Sequence, residues 1–129
     1  MSYQDKAAEN KRVAKKCMEI QAYNAGVTRA YYSAFQHIKA YLSGKQFDYK
    51  LFLQKSNPNE REYSHGTIQA AITNCLIANG KSYADIYKLR VLDNLYVKRR
   101  RADYEETDII EAELRDSLAD LDIILSVVT

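Results

Sequence analysis

Arginine and tyrosine carry most of the chemistry this chain offers, and both are concentrated near residue 100. Leu89, Leu92, Tyr96 and Arg99 follow the spacing of one buried helical stripe. An arginine that continues an apolar stripe is costly unless an anion or a carboxylate meets it. Asp103, one helical turn on, is placed to be that partner. The pair could close the end of a bundle, or the guanidinium could face a phosphate at its rim. Lys98, Arg100 and Arg101 flank Arg99, so four consecutive cations wrap around one helix. A single acidic neighbour does not neutralise them all, which favours a surface that meets phosphate.

Two further clusters carry polar side chains. Arg29, Ser33, Gln36 and His37 lie opposite the core stripe of their helix and read as a solvated face. His65 directly follows Ser64 at a helix start, where the helix end disfavours a charged imidazole. Taken alone it is incidental to chemistry. The 11 tyrosines, with no tryptophan beside them, suit the edge of a core, and their rings are also able to stack on bases. There is no HxxxH, no ExxH on one face and no pair of nearby cysteines, since Cys17 and Cys75 are far apart. Glycine-rich phosphate loops and a GxSxG elbow are also missing. No metal and no cofactor is expected.

These groups have to be positioned by helices. At 129 residues with 47% apolar content, the chain suits one domain spanning residues 1–129. No run reaches the roughly 20 apolar residues of a membrane span, and the polar start lacks a signal-peptide core, so a cytoplasmic protein is expected. Charge is strongly polarised: residues 1–101 sum to +10 and residues 102–129 to −8. Apolar periodicity predicts helices over Lys6–Tyr23, Asn24–Ser43, Ser64–Asn79, Ser82–Arg101 and Thr107 onward. Asn24, Ser64 and Thr107 are the expected N-caps, and Asn79 with Gly80 the expected stop. Between Gly44 and Tyr63 lies a loop around Pro58 with a short helix near Leu51. An all-α, up-and-down bundle of four long helices plus one more is the predicted fold. Helix two is apolar over more than half its circumference, and Ile109 and Ile123–Leu125 lie off the main stripe of the last helix. That surplus predicts a homodimer that brings two basic helix ends together.

The run Thr28-Arg29-Ala30-Tyr31-Tyr32-Ser33-Ala34-Phe35, followed by Ala40-Tyr41-Leu42, resembles the second helix of small prokaryotic HEPN-domain proteins (higher eukaryotes and prokaryotes nucleotide-binding). Ser64-His65-Gly66 is similar to their S/T-H-x-G helix start. Leu95-Tyr96, Arg99 and Ala102-Asp103-Tyr104 resemble their L-Y-x-x-R-x-x-A-D-Y signature in order and spacing. The resemblance covers nearly the whole chain. It implies a helical bundle, commonly dimeric, in toxin–antitoxin and antiviral defence systems, often beside a minimal nucleotidyltransferase acting as antitoxin. It also implies that such a partner can attach adenylate to a tyrosine near the arginine motif, here Tyr104.

One departure bears on activity. Nuclease-type members carry an arginine, four to six intervening residues, then a histidine. From Arg99 that window meets Tyr104, Glu105 and Glu106, and neither Arg29 with His37 nor Arg61 with His65 has the spacing. Metal-free RNA cleavage needs a base for the 2′-hydroxyl and an acid for the leaving oxygen, ideally with pKa near neutrality. Tyrosine as a class titrates near ~10 and serves poorly unless shifted. The first expectation is therefore a module that binds RNA or nucleotide phosphates through Arg99, Arg29, Lys98, Arg100 and Arg101, with Asp103 as structural partner. The second is a metal-independent endoribonuclease using Arg99 with Tyr104 or His65. The third is a non-catalytic helical scaffold.

Overall fold

The computed structural model describes residues 1–56 and 64–129, and within them the chain is all helix and turn. The helices are α1 (Tyr3–Glu19), α2 (Tyr23–Gly44), α3 (Tyr49–Ser56), α4 (His65–Ala78), α5 (Tyr83–Lys88), α6 (Val91–Tyr104) and α7 (Glu111–Val128). Five have 14 residues or more, and α3 and α5 are short. The described residues form the predicted all-α bundle in seven helical segments: the expected short helix near Leu51 is α3, and the helix expected over Ser82–Arg101 is divided into α5 and α6. The loop around Pro58, with Asn57, Asn59 and Arg61, lies outside the described residues.

Local chemistry accounts for most helix starts. The Ser2 hydroxyl accepts the Asp5 N–H at 3.1 Å, and the Asp5 carboxylate accepts the Ser2 N–H at 3.3 Å, a reciprocal cap on α1. Ser64 accepts the Thr67 N–H at 3.2 Å and Ser82 the Asp85 N–H at 3.1 Å. The expected stop of α4 is also present, with Asn79 at its end and Gly80 at φ 72°.

Helix α1 runs over Tyr3–Glu19 rather than Lys6–Tyr23, because Ser2 caps it and the chain turns at Gln21, φ 60°; at three other places a tertiary contact outweighs a local signal. Asn24 does not cap α2, which starts one residue earlier. Its side chain instead accepts the Ile109 N–H at 2.8 Å and donates to Asp108 at 3.2 Å, tying the start of α2 to the approach to α7. Thr107 is not an N-cap either, because Ile109 is drawn into a buried cluster with Cys17, Val27 and Leu114 while the chain is still extended. Helix α7 therefore begins at Glu111, whose neighbour two residues on, Glu113, accepts the Ile110 N–H at 3.2 Å. The single helix expected over Ser82–Arg101 breaks at Leu89 and Arg90. There the Leu89 and Leu92 N–H groups reach back only three residues, a tightened turn that buries Leu89.

Helix α2 is the spine: α1, α4, α6 and α7 all pack on it. Its Val27, Ala30, Tyr31, Ala34, Phe35, Ile38 and Leu42 are buried, facing Ile72, Leu76, Leu92, Leu95, Leu121 and Ile124 from the other helices. This enclosure overturns one expectation. The face with Ser33 and His37 is not solvated, because α1 covers it; the Ser33 hydroxyl donates to the Ala7 carbonyl at 2.8 Å. Of the apolar residues that predicted a homodimer, Ile109 and Ile124 are buried within the chain and Ile123 is exposed.

The closest approach is at Gly26. A Cβ there would stand 2.6 and 2.8 Å from the Leu114 methyl carbons and 3.1 Å from the Cys17 Cβ, and Leu114 has no exposed surface to yield into. Overpacking a filled core costs about 1–3 kcal/mol. Gly26→Val is expected to lower unfolding free energy by about that amount in urea denaturation. Gly44→Val, whose Cβ meets open space, is expected to stay within about 0.5 kcal/mol of the parent.

Candidate functional site

The predicted tie between Arg99 and Asp103 exists and sits where α6 crosses α2. Arg99 Nε lies 3.0 Å from Asp103 Oδ2, and Arg99 Nη2 donates to the Tyr32 hydroxyl at 2.9 Å. The second Asp103 oxygen accepts the Thr28 hydroxyl at 3.0 Å, so one carboxylate bridges α6 to α2. The guanidinium carbon lies 5.5 Å from the Tyr32 ring centre, 5.6 Å from that of Tyr104 and 6.0 Å from that of Tyr31. Three π faces around one cation favour its charged form. Burial works against that charge, but Tyr32, Asp103 and Tyr104 together outweigh it and hold the Arg99 pKa above its ordinary value. The side chain keeps 17% of its surface in solvent. Guanidinium has more donors than Tyr32 and Asp103 use.

His65 joins this cluster through Tyr31. Its ring stacks on Tyr96 with centres 4.0 Å apart and planes 12° from parallel. Nε2 lies 2.9 Å from Asp93 Oδ1, and Nδ1 lies 3.1 Å from the Tyr31 hydroxyl. A carboxylate only accepts, so the proton belongs on Nε2, leaving Nδ1 to accept from the phenol in the neutral ring. Tyr31 is buried, and that burial pushes its phenol well above the ordinary range, with Arg99 opposing the rise. The result is a chain Tyr31–His65–Asp93 from α2 through the first residue of α4 to α6. A histidine read as incidental is thus anchored on three sides.

The four cations divide by direction. Arg99 faces α2. Lys98 and Arg101 face α7, where Arg101 pairs with Glu113 and lies 3.9 Å from Glu105, and Lys98 acts on the charges of Glu113 and Asp120. Acidic α7 therefore absorbs two of the four, which is the side-by-side neutralisation that the charge polarity made available. Arg100 points outward, with its guanidinium 5.0 Å from the Tyr104 ring centre and 5.9 Å from that of Tyr96, and it forms no ion pair among the described residues. Tyr104 itself is 66% exposed, contrary to a role packed against the next helix. Arg29 is not brought here. It donates to Asn10 of α1 at 3.1 Å, on another flank of α2.

Thr28, Tyr31, Tyr32, Asp93 and Tyr96 were absent from the residues singled out for chemistry. Helical spacing puts Tyr31 on the apolar stripe of α2, and its ring is core while its hydroxyl meets His65. The usable signal was the helical spacing of Thr28 to Tyr32 and of Asp93 to Tyr96 and Arg100, which aligns polar atoms on one edge. Among the described residues, no group of three His, Cys, Asp or Glu side chains is placed to hold a metal ion.

The raised phenol pKa makes a signed prediction. A buried neutral Tyr31 contributes stability below the unfolded tyrosine pKa near ~10, and that contribution is lost as pH rises above it. Tyr31→Phe is expected to weaken this alkaline loss in thermal melts from pH 9 to 11 and to remove one late-ionising phenol from the ultraviolet titration. An alkaline limb identical to that of the parent would contradict it.

No family model matches the chain, and no curated protein sequence matches it, so what the cluster does has to be argued from its own geometry.

Proposed function

We propose that the chain is a HEPN-type module of a toxin–antitoxin or defence system that binds RNA or nucleotide phosphates at the Arg99–Arg100 end of the bundle. The observation that carries this reading is convergence. Tyr31 and Tyr32 come from the first resembling motif, His65 from the second, and Arg99, Asp103 and Tyr104 from the third. Tyr32 and Arg99, 67 residues apart, meet at one guanidinium, and His65 joins them through Tyr31. Arg99 is pre-aimed by Tyr32 and Asp103, so binding an anion costs little ordering of its side chain. Arg100 adds an exposed cation, and Tyr96 and Tyr104 offer ring faces beside it.

Binding is favoured over cleavage by the state of His65. Both ring nitrogens are occupied by contacts internal to the fold, so neither is free to take a 2′-hydroxyl proton while those contacts last. The reading does not require a dimer. Exposed Tyr104 fits modification by a nucleotidyltransferase partner: an adenylate phosphate there would lie beside the Arg99 and Arg100 guanidiniums and occupy them by charge-assisted hydrogen bonds.

Arg99→Ala and Arg100→Ala are each expected to weaken single-stranded RNA binding by about tenfold, and the Arg100 change to flatten its salt dependence by about one unit. Arg29→Ala is expected to leave affinity within about twofold, because that side chain is engaged on α1. Affinities come from fluorescence anisotropy at several salt concentrations. Incubation with total RNA in chelator decides the second reading: specific cleavage lost in Arg99→Ala would replace the binding function with a nuclease.

Tyr104→Phe is expected to leave the circular dichroism spectrum and melting temperature unchanged and to change RNA binding or toxicity more than Tyr96→Phe does. Loss of folding in Tyr104→Phe, or equal functional effects of the two changes, would return Tyr104 to a structural role.

A further inference from the structure

A second cationic concavity lies on the α1 side of α2, away from the Arg99 cluster on its α6 side. This groove, about 440 Å³ in volume, runs between α1 and the end of α7. Ala8 and Leu125 give it apolar lining, and Lys11, Arg12, Lys15, His37 and Thr129 the polar part. That volume falls among sites for small molecules.

The floor is the unusual part. His37 is 7% exposed, and its Nδ1 is sealed from solvent with no hydrogen-bond partner among the described residues. Burial, and then the nearby Lys11 charge, lower its pKa, so the ring is neutral in ordinary buffers and offers one N–H and one lone pair. An unpaired buried ring nitrogen carries a desolvation cost that no described residue offsets, and the rest of the ring lines the groove.

The cations fix the charge of the occupant. Lys11 is engaged with Asp122 of α7 at 3.1 Å. Arg12 and Lys15 are exposed, and no side-chain carboxylate pairs with either among the described residues. Exposed Arg12 and Lys15, with Lys11 beside them, give the groove a cationic wall suited to a phosphate monoester, which carries about −1.5 to −2 at neutral pH.

We propose that the groove binds a phosphate monoester of small-molecule size, with Arg12 and Lys15 holding the phosphate and the His37 ring beneath it. The two sources of such a group are a free nucleoside 5′-monophosphate and the 5′-phosphorylated end of an RNA strand. The proposal is independent of what the Arg99 cluster binds.

The test reads His37 directly. The chain has two histidines, so ring carbon–proton spectra of the full-length protein give two sets of signals, assigned with His65→Gln. Titration with inorganic phosphate and with AMP is expected to move the His37 signals saturably in the millimolar range or below. Arg12→Ala combined with Lys15→Ala, both at exposed positions, is expected to weaken that response by about tenfold or more. Arg99→Ala is expected to leave it unchanged, which separates this site from the other cluster. Two hexanucleotides, one 5′-phosphorylated and one 5′-hydroxyl, distinguish the sources. Tighter binding of AMP than of the phosphorylated strand assigns the site to free nucleotides, and the reverse order assigns it to strand ends. A His37 signal that AMP does not move, a response that survives the double substitution, or an equal response to the 5′-hydroxyl strand would overturn the proposal.

Discussion

The structure depends on the enclosure of α2. A helix touched by four others has little face left for water, so most of the polar groups it buries find a partner inside the protein. Thr28 meets Asp103, Tyr31 meets His65, Tyr32 meets Arg99 and Ser33 meets the Ala7 carbonyl. These bonds reach α1, α4 and α6, so the polar atoms of α2 specify which neighbour lies on which side. The apolar residues between them supply the burial, and the hydrogen bonds supply the register. The Arg99 cluster is the place where this requirement is met by a charge, and Gln36, His37 and Tyr41 each keep a buried polar atom for which it is not met among the described residues.

The helices were legible because their signals are local. Serine caps at Ser2, Ser64 and Ser82 act within three residues, and the Asn79–Gly80 stop acts within one turn. Errors fall where a distant contact decides. Asn24 is a good cap by composition, yet its side chain is held by Asp108 and the Ile109 N–H, more than 80 residues away. The pair Arg99–Asp103 was readable because it spans one helical turn. The aromatic ring around it was not, since Tyr31 and Tyr32 reach Arg99 only through the crossing of α2 with α6, which periodicity does not encode. His65 shows the same limit: its position at a helix start was clear, and its partners on two other helices were not.

The charge polarity of the sequence has two physical outcomes in one helix. Lys98 and Arg101 meet the acids of α7, so part of the positive excess is structural glue between neighbouring helices. Arg100 has no such neighbour, and Arg99 is shared between a carboxylate and three phenol rings. Four consecutive cations around a helix therefore serve three surroundings. The quantity that matters for binding is which cations the acidic helix leaves over, and composition alone does not give it.

Glu113 has a consequence that follows from its double engagement. Its carboxylate accepts the Ile110 N–H at the start of α7 and also pairs with Arg101 near the end of α6. The Arg101 hydrogen bond, and then the backbone one, pull its pKa below the ordinary carboxylate value. A depressed carboxylate stabilises the fold above its unfolded pKa, and that contribution is lost as pH falls through the folded value. One proton on Glu113 thus loosens a helix start and an interhelical clasp together. Acid therefore acts on the connection from α6 to α7, directly after Tyr104, through a single carboxylate.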